Sequence, residues 1–351
     1  MSLKIAPERV HMLSKKSRDL ARDTFIFQPS PVRLWCGLNQ NLSPVTSNIF
    51  QRWMRLINPN LPPFELCPIT LQKYGVLHYS ASPSGEPIPP QSTKRLPPGD
   101  YAWVSPNPNF MEPFTLVFFY HSYAAMKRQS EETDWPVSKE YLSQYDIAPA
   151  IETSVIMRDN RCFITGSTSE TTELEVTWIV PPVWNFDTAR TCVPESDQDH
   201  SSHIVPANAV LMRKDLIPAF QDNAFGVDVD DNYRIVAFRD FGLNASLIPV
   251  GSLAPSRQAE HPQPGPGAEF LREHFRKCLT VHLPGGDIWD DYSLGEVQAT
   301  FREVGLSDSD DEVEPMDSPK WKTVLGNEIR EWYLRSVVDP NHLESDDLPE
   351  A

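Results

Sequence analysis

The chain has 351 residues, of which 40% are hydrophobic and 10% aromatic, so it is long and apolar enough for two domains or for one large domain with tails. Its 34 prolines are about twice the average share and indicate many loops and extended segments. The formal net charge of −17 argues against strong, non-specific nucleic-acid binding, because such binding draws most of its affinity from neutralising phosphates.

The five cysteines are far apart and form no Cys-x-x-Cys pair. This arrangement argues against a disulfide framework and a cysteine-based structural zinc site, and it favours reduced thiols. The N-terminus lacks the apolar run of a signal peptide, and no stretch approaches the roughly 18 apolar residues that a membrane helix needs. We therefore expect an intracellular protein, cytoplasmic or nuclear, without membrane contact.

The first part of the chain is predicted to be a strand-rich unit over residues 31–125, preceded by a loose or helical segment over residues 1–30. A helix is expected over 48–58, because its large apolar residues recur at helical spacing (Phe50, Trp53, Met54, Ile57). Short apolar and aromatic runs predict strands at 74–80, 100–104 and 114–121. A short helix over 138–146 would link this unit to the next.

A second part is predicted over residues 150–283. Its first expected elements are a helix or strand over 152–166 and, within the apolar run 174–184, a strand that ends at Pro181. A short strand and helix over 208–220, a hairpin over 226–238 and an amphipathic helix over 267–283 are expected to follow. Asp215 is expected to cap the helix within 208–220, and Pro218 would lie in its first turn, where a missing N–H costs little.

The last segment, residues 284–351, is predicted to be an acidic, partly disordered tail. From Asp287 to Ala351 it holds 18 acidic and five basic residues, a net charge of −13, which leaves −4 for the preceding residues. Residues 306–319 are expected to be disordered because they are polar and highly charged. A helix over 327–338 has an apolar side that would dock on the body of the protein or on a partner.

Two acidic clusters have competing interpretations. Ser307 and Ser309 lie in the sequence SDSDDE, which is a setting that acid-directed kinases modify, and the alternative is a plain acidic spacer. Asp228, Asp230 and Asp231 suggest calcium, but without the spacing of an EF-hand loop a hairpin turn with solvated acids is the preferred interpretation.

Several segments between residues 158 and 238 form a recognisable series. They are RDNRCFITG, an Ile-Val-Pro strand, NAVLMRKDL, and NYRIVAF, and the later helix FLREHFRKCL continues the series. The series resembles the HNH nuclease domains found in many fungal proteins. That family runs Arg-Asp-x-x-Cys-x-x-Thr-Gly, then a strand with His-Ile-x-Pro, then Asn-x-x-Leu-Leu-x-x-Asp-Leu-His-x-x-Phe-Asp.

The resemblance implies a ββα-metal core, in which a divalent cation lies beside the scissile phosphate and a His acts as general base on water. The base aligns with Trp178, the Asn that orients it with Asn208, and the metal-binding His of the helix with Ile217. Trp has no basic nitrogen and Ile has no lone pair, so the resemblance implies the fold without the activity. The other aligned positions are Thr177 and Gln221 in the site, and Cys162, Thr165, Gly166, Ile179, Pro181, Leu211, Leu216 and Phe220 in the scaffold.

A second Ile-Val-Pro stretch follows His203, which makes this histidine the rival catalytic candidate. A relocated metal site would use His200, His203 and Asp222, whereas solvated loop histidines are the alternative, because the loop lacks rigid support. Trp178 is either a core aromatic or a stacking group. Asn208 is either a relic of catalysis or a side chain that binds backbone.

The sequence therefore predicts an α+β protein with a degenerate HNH-like core, a strand-rich N-terminal unit and an acidic tail. Its expected function is that of a non-catalytic binding or regulatory module without a cofactor and with weak nucleic-acid or protein recognition. The first alternative is a divalent-metal-dependent endonuclease with a rearranged site. The second is an interaction protein whose acidic tail and terminal helix bind a basic protein partner.

Overall fold

The computed structural model describes residues 11–105, 121–132, 146–184, 200–248, 251–253, 265–307 and 312–338. These residues mix helices with parallel and antiparallel strands, which confirms the predicted α+β class. The chain divides into two compact units, both discontinuous in sequence: unit 1 is residues 1–37, 63–108 and 285–351, and unit 2 is residues 38–62 and 109–284. The sequence predicted a division into four consecutive segments along the chain.

Helices and strands are interspersed along the described chain. The helices are α1 (Lys15–Asp19), α2 (Ser47–Ile57), α3 (Tyr123–Glu132), α4 (Pro149–Asp159), α5 (Ile217–Gln221), α6 (Ala268–His282), α7 (Leu294–Glu303) and α8 (Val324–Val338). The strands are β1 (Thr24–Pro29), β2 (Val32–Leu38), β3 (Glu65–Gly75), β4 (His78–Pro83), β5 (Gly99–Val104), β6 (Leu174–Trp178), β7 (Ala209–Arg213), β8 (Phe225–Asp228) and β9 (Arg234–Ala237). Within these described ranges, no helix is long and apolar enough to cross a membrane.

Unit 1 is built on a five-stranded sheet with the strand order β2-β1-β5-β3-β4. β1 runs parallel to β5, and β3 is antiparallel to both β5 and β4. Phe25, Ile26 and Phe27 of β1 are at most 1% exposed, since this strand lies inside the sheet. Residues 24–29 are therefore an inner strand, whereas the sequence predicted a loose or helical segment there.

The strand predicted over 74–80 is the end of β3, a two-residue turn and the start of β4. Val76 and Leu77 lie between the two strands in a turn, and Leu77 has a positive φ of 59°. Both residues are buried because they pack into a core formed with the C-terminal segment, and this burial explains the apolar run. Among the neighbouring predictions, β5 confirms the strand over 100–104, α2 confirms the helix over 48–58, and residues 114–120 and 138–145 lie outside the described ranges.

The C-terminal segment is folded wherever the structure describes it, over residues 285–307 and 312–338. Apolar residues recur three or four positions apart along α7 and α8, so each helix buries one side despite the high net charge. The resulting core contains Val76, Leu77, Ile288, Val297, Val304, Trp321, Leu325 and Ile329. Ser307 is exposed, whereas residues 308–311, including Ser309, are outside the described ranges.

Lys73 of β3 connects the sheet to α8. Its side chain is 8% exposed, and its ammonium group binds the carboxylate of Glu328 and lies 4.0 Å from that of Glu331. Burial lowers the pKa of Lys73 from 10.5 to about 8, against the raising effect of Glu331. α8 confirms the predicted terminal helix and begins earlier, but Val337, which was assigned to its packed side, is 60% exposed.

Unit 2 contains two antiparallel hairpins, β6–β7 and β8–β9, on which helices α4 and α6 pack. Gly226 of β8 allows the close approach of α6, because a Cβ atom there would lie 3.0 Å from the sulfur of Cys278. The hairpin predicted over 226–238 and the helix over 267–283 are both confirmed. The segment 152–166 is resolved as helix α4 followed by a turn at Gly166, whose φ is +77°.

Two local predictions in unit 2 were wrong. β6 ends at Trp178 rather than at Pro181: the Ile179 N–H donates to the Asn208 carbonyl, which precedes β7, and the N–H and carbonyl of Val180 bind the Asn208 side chain. Asp215 does not cap α5: its carboxylate accepts two hydrogen bonds from Arg213, at 3.0 and 2.6 Å, and this pairing lowers its pKa. Pro218 does lie in the first turn of α5, as predicted.

Candidate functional site

The Arg-Asp pair of the RDNRCFITG motif fastens α4 to strand β7. The Arg158 guanidinium donates to the carbonyl oxygens of Pro206 and Ala209, at 2.9 and 2.7 Å. The Asp159 carboxylate accepts from the backbone N–H of Leu211 at 3.0 Å. Arg158 and Asp159 also form two hydrogen bonds with each other, at 2.6 and 2.8 Å. These contacts to the backbone explain why the motif has Arg and Asp at these two positions.

Cys162 is a packed thiol at the start of the turn that Gly166 closes. It is fully buried, and its sulfur accepts the backbone N–H groups of Thr165 and Arg213, each at 3.4 Å. The Gly166 N–H donates to the Cys162 carbonyl at 2.9 Å. These contacts place Cys162 in the core of unit 2, where it supports the turn and the end of β7.

β6, β7 and α5 follow one another along the chain as strand, strand and short helix. Trp178 lies opposite Ala209 at the end of β6 and is 4% exposed. It packs with Ile151 and Val155 of α4, so the indole is a core group on this side of the hairpin. Ile217 is 8% exposed and packs in the larger core of the unit. Neither side chain offers an acid, a base or a metal ligand.

Asn208 closes the open end of the β6–β7 hairpin and is fully buried. Its amide oxygen accepts the N–H of Val180 at 3.0 Å, and its amide nitrogen donates to the Val180 carbonyl at 2.7 Å and to the His203 carbonyl at 2.9 Å. Both ends of the amide are therefore engaged by backbone. This geometry continues the strand pairing beyond Trp178 and leaves Asn208 aimed at the backbone rather than at another side chain.

A cavity of about 400 Å³ opens beside β6. Thr177, Trp178 and Gln221 line it, and these are positions that the nuclease resemblance aligns with functional residues. The Gln221 amide donates to the Thr177 hydroxyl at 3.2 Å, which joins α5 to β6 inside the cavity. The remaining lining residues are Tyr123, Ala124, Lys127, Asp146, Ile147, Glu152, Glu175, Val176 and Pro181.

Two of the three residues of the rival metal site, Asp222 and His203, contact other side chains. Asp222 binds the guanidinium of Arg239 and accepts a hydrogen bond from the Ser122 hydroxyl at 2.5 Å. The ring of His203 packs edge-on against Phe270, with 5.3 Å between ring centroids. The short 3-10 helix His200–His203 carries both histidines. Among the residues that the structure describes, no group of three or more His, Cys, Asp or Glu side chains is arranged to hold a metal ion.

Each acid of the Asp228, Asp230 and Asp231 cluster has its own arginine. Asp228 is 1% exposed and accepts two hydrogen bonds from Arg52, at 2.7 and 2.6 Å. Arg272 donates two hydrogen bonds to Asp230, and Arg234 lies 2.8 Å from Asp231. The three carboxylates thus point to separate partners. The interpretation of solvated acids was wrong for Asp228, which is buried.

Sequence reasoning missed a buried polar group on α6. His274 is 1% exposed, and its Nε2 lies 3.1 Å from the Phe220 carbonyl, which assigns the ring proton to Nε2. Its Nδ1 lies 3.5 Å from the sulfur of Cys278. The Asn223 amide contacts the same sulfur and ring, at 3.6 and 3.4 Å. Burial raises the pKa of Cys278, so this Cys-His-Asn group is a neutral core network and not a nucleophilic site.

Acidification is expected to destabilise unit 2 through His274. Burial lowers the pKa of His274 from 6.5 to about 4, so between these values the unfolded chain binds the proton and the folded chain does not. The free energy of unfolding should therefore decrease as the pH falls through this window, by about 3 kcal/mol at its lower end. Urea unfolding of the wild type and of His274→Gln across the window measures this slope.

The exposed His121 provides the control for this pH effect. His121→Gln should keep the wild-type dependence of stability on pH, whereas His274→Gln should flatten it. Equal slopes in the two variants would contradict the assignment of the effect to the buried ring.

No family model matches this chain, and no curated protein matches it.

Proposed function

We propose that this protein is a non-catalytic binding module, built on a degenerate nuclease-like ββα hairpin that holds a ligand cavity in place of a hydrolytic site. The observation that carries this proposal is the cavity beside β6. Thr177, Trp178 and Gln221, which the resemblance aligns with functional positions, line its wall together. A volume of about 400 Å³ lies within the range of ordinary ligand pockets.

The residues at the aligned positions support binding rather than hydrolysis. A general base must accept a proton within hydrogen-bond reach of its substrate, and an indole N–H only donates. Ile217 supplies carbon where the family supplies a metal-binding imidazole. The Asn208 amide holds Val180, and the aligned base position carries Trp178 in place of an imidazole. At Trp178 and Ile217 a packed side chain thus stands where the family has a catalytic group.

Plasmid nicking tests the absence of hydrolysis. The purified full chain is incubated with supercoiled DNA and Mg²⁺, Mn²⁺ or Zn²⁺, beside a His203→Ala variant and an unrelated metal-dependent nuclease as a positive control. We expect no nicking by either form of the protein, because the aligned positions carry no base and Asp222 is held by Arg239. Metal-dependent nicking that His203→Ala loses would contradict the proposal and support the rearranged endonuclease.

A protein partner for the acidic tail and α8 stays a prediction. Leu334 and Val337 are exposed on α8, with Arg335 between them and the acidic residues Glu331 and Asp339 further along on either side in sequence. A basic partner with apolar side chains would complement this surface. The cavity of unit 2 is the better supported site, because several polar side chains converge on it.

A further inference from the structure

We infer that the cavity beside β6 takes a positively charged group, a guanidinium or an ammonium, and this inference rests on the proposed binding function. Three carboxylates lie among its lining residues, those of Asp146, Glu152 and Glu175, against one ammonium, that of Lys127. All four of these residues are exposed. They leave the mouth of the cavity with an excess of negative charge, which attracts cations and repels phosphate.

The inner wall of the cavity has the chemistry that a cation needs once it enters. Tyr123 and Trp178 contribute aromatic rings, and such rings attract ammonium and guanidinium groups.

Oxygen acceptors complete the wall. The Gln221 amide nitrogen donates to the Thr177 hydroxyl at 3.2 Å, which turns the donor end of the amide towards β6. A guanidinium carries only donors and an ammonium likewise, so both match carboxylate, hydroxyl and amide oxygens. Glu175 is available for this role, because Lys214 lies 4.0 Å from it and only 2.8 Å from Glu173.

Calorimetric titration of the full chain at low salt tests the charge class of the ligand. The probes are agmatine, a peptide with one arginine among glycines and serines, the same peptide with citrulline in place of arginine, and inorganic phosphate. We expect the arginine peptide to bind and the citrulline peptide and phosphate not to bind. Binding of agmatine as well would show that the cationic group suffices, and peptide binding alone would identify a protein segment as the source.

Variants of exposed residues locate the binding. Glu152→Gln and Glu175→Gln should each weaken binding of the arginine peptide about two- to fivefold, which is the size of one exposed charge pair. Lys127→Gln should strengthen it. Glu170→Gln is the matched control, since Glu170 is an exposed acid of unit 2 outside the lining of the cavity, and it should leave the affinity unchanged.

Three results would overturn the inference: no binding of either guanidinium probe, binding of phosphate in preference to them, or an equal effect of Glu170→Gln and Glu152→Gln. These three results come from the binding measurements and are independent of the nicking assay. Nicking of DNA would contradict the proposed non-catalytic function, whereas the three results would contradict only the cationic ligand, so the two failures are distinguishable.

Discussion

Replacing Arg52 with methionine is expected to lower the free energy of unfolding of unit 2 by about 3–5 kcal/mol, because the change leaves a buried carboxylate without its cation. Asp228 is 1% exposed, and the guanidinium of Arg52 supplies two of its hydrogen bonds. The indole N–H of Trp53 supplies a third at 2.8 Å, and it does not neutralise the charge. Urea unfolding followed by circular dichroism measures the loss.

Two further variants separate the buried charge from the loss of a long side chain. Arg55→Met removes an exposed arginine from the same helix and should change stability by less than about 0.5 kcal/mol. Adding Asp228→Asn to Arg52→Met removes the uncompensated charge and should restore part of the lost stability. If Arg52→Met costs no more than Arg55→Met, the ion pair does not stabilise the unit.

Trp321→Ala is expected to lower the free energy of unfolding of unit 1 by about 3–5 kcal/mol, which is the usual cost of emptying a large aromatic site in a core. Trp321 is fully buried among residues of the C-terminal segment and the β3–β4 turn. Its indole N–H also donates to the Glu314 carbonyl at 3.2 Å, and that bond is lost as well. Chemical unfolding and limited proteolysis after α7 measure the effect.

Val324→Ala is the control for this prediction, because Val324 is 52% exposed at the start of α8. It should leave both the unfolding midpoint and the proteolysis pattern nearly unchanged. Similar behaviour of the two variants would contradict the view that the C-terminal segment completes the core. Deleting residues 287–351 would remove Trp321 as well, so a truncation after Val338 is the cleaner test of an acidic-tail partner.

Local patterns predicted the elements whose contacts are close in sequence. The hairpin over 226–238 follows from alternation around a turn, and α6 follows from apolar residues at helical spacing, because each pattern is decided within one element. The wrong prediction at Asp215 also concerns a contact between residues that are close in sequence. A cap and a salt bridge with Arg213 compete for one carboxylate, and sequence alone does not rank them.

Contacts between distant segments were not predictable in this way. Arg52 and Asp228 are 176 positions apart, and no periodicity connects them. The inner position of β1 depends on β5, and the burial of Val76 depends on Trp321. In the candidate site, the resemblance pointed to Trp178 and Asn208 as aligned positions. The cavity also needs α3 and α4, and only the folded chain brings these elements to β6.

Because unit 1 is discontinuous in sequence, its core is completed only late in synthesis on the ribosome. Lys73 and Glu328 are 255 positions apart, and Leu34 and Asp287 are 253 apart, so the sheet emerges long before the helices that cover it. Unit 2 also joins distant segments, but it is complete in sequence by residue 284. Nascent chains that stop there would carry Val76 and Leu77 without the C-terminal residues of their core, and such exposed apolar surface is what chaperones and proteases recognise.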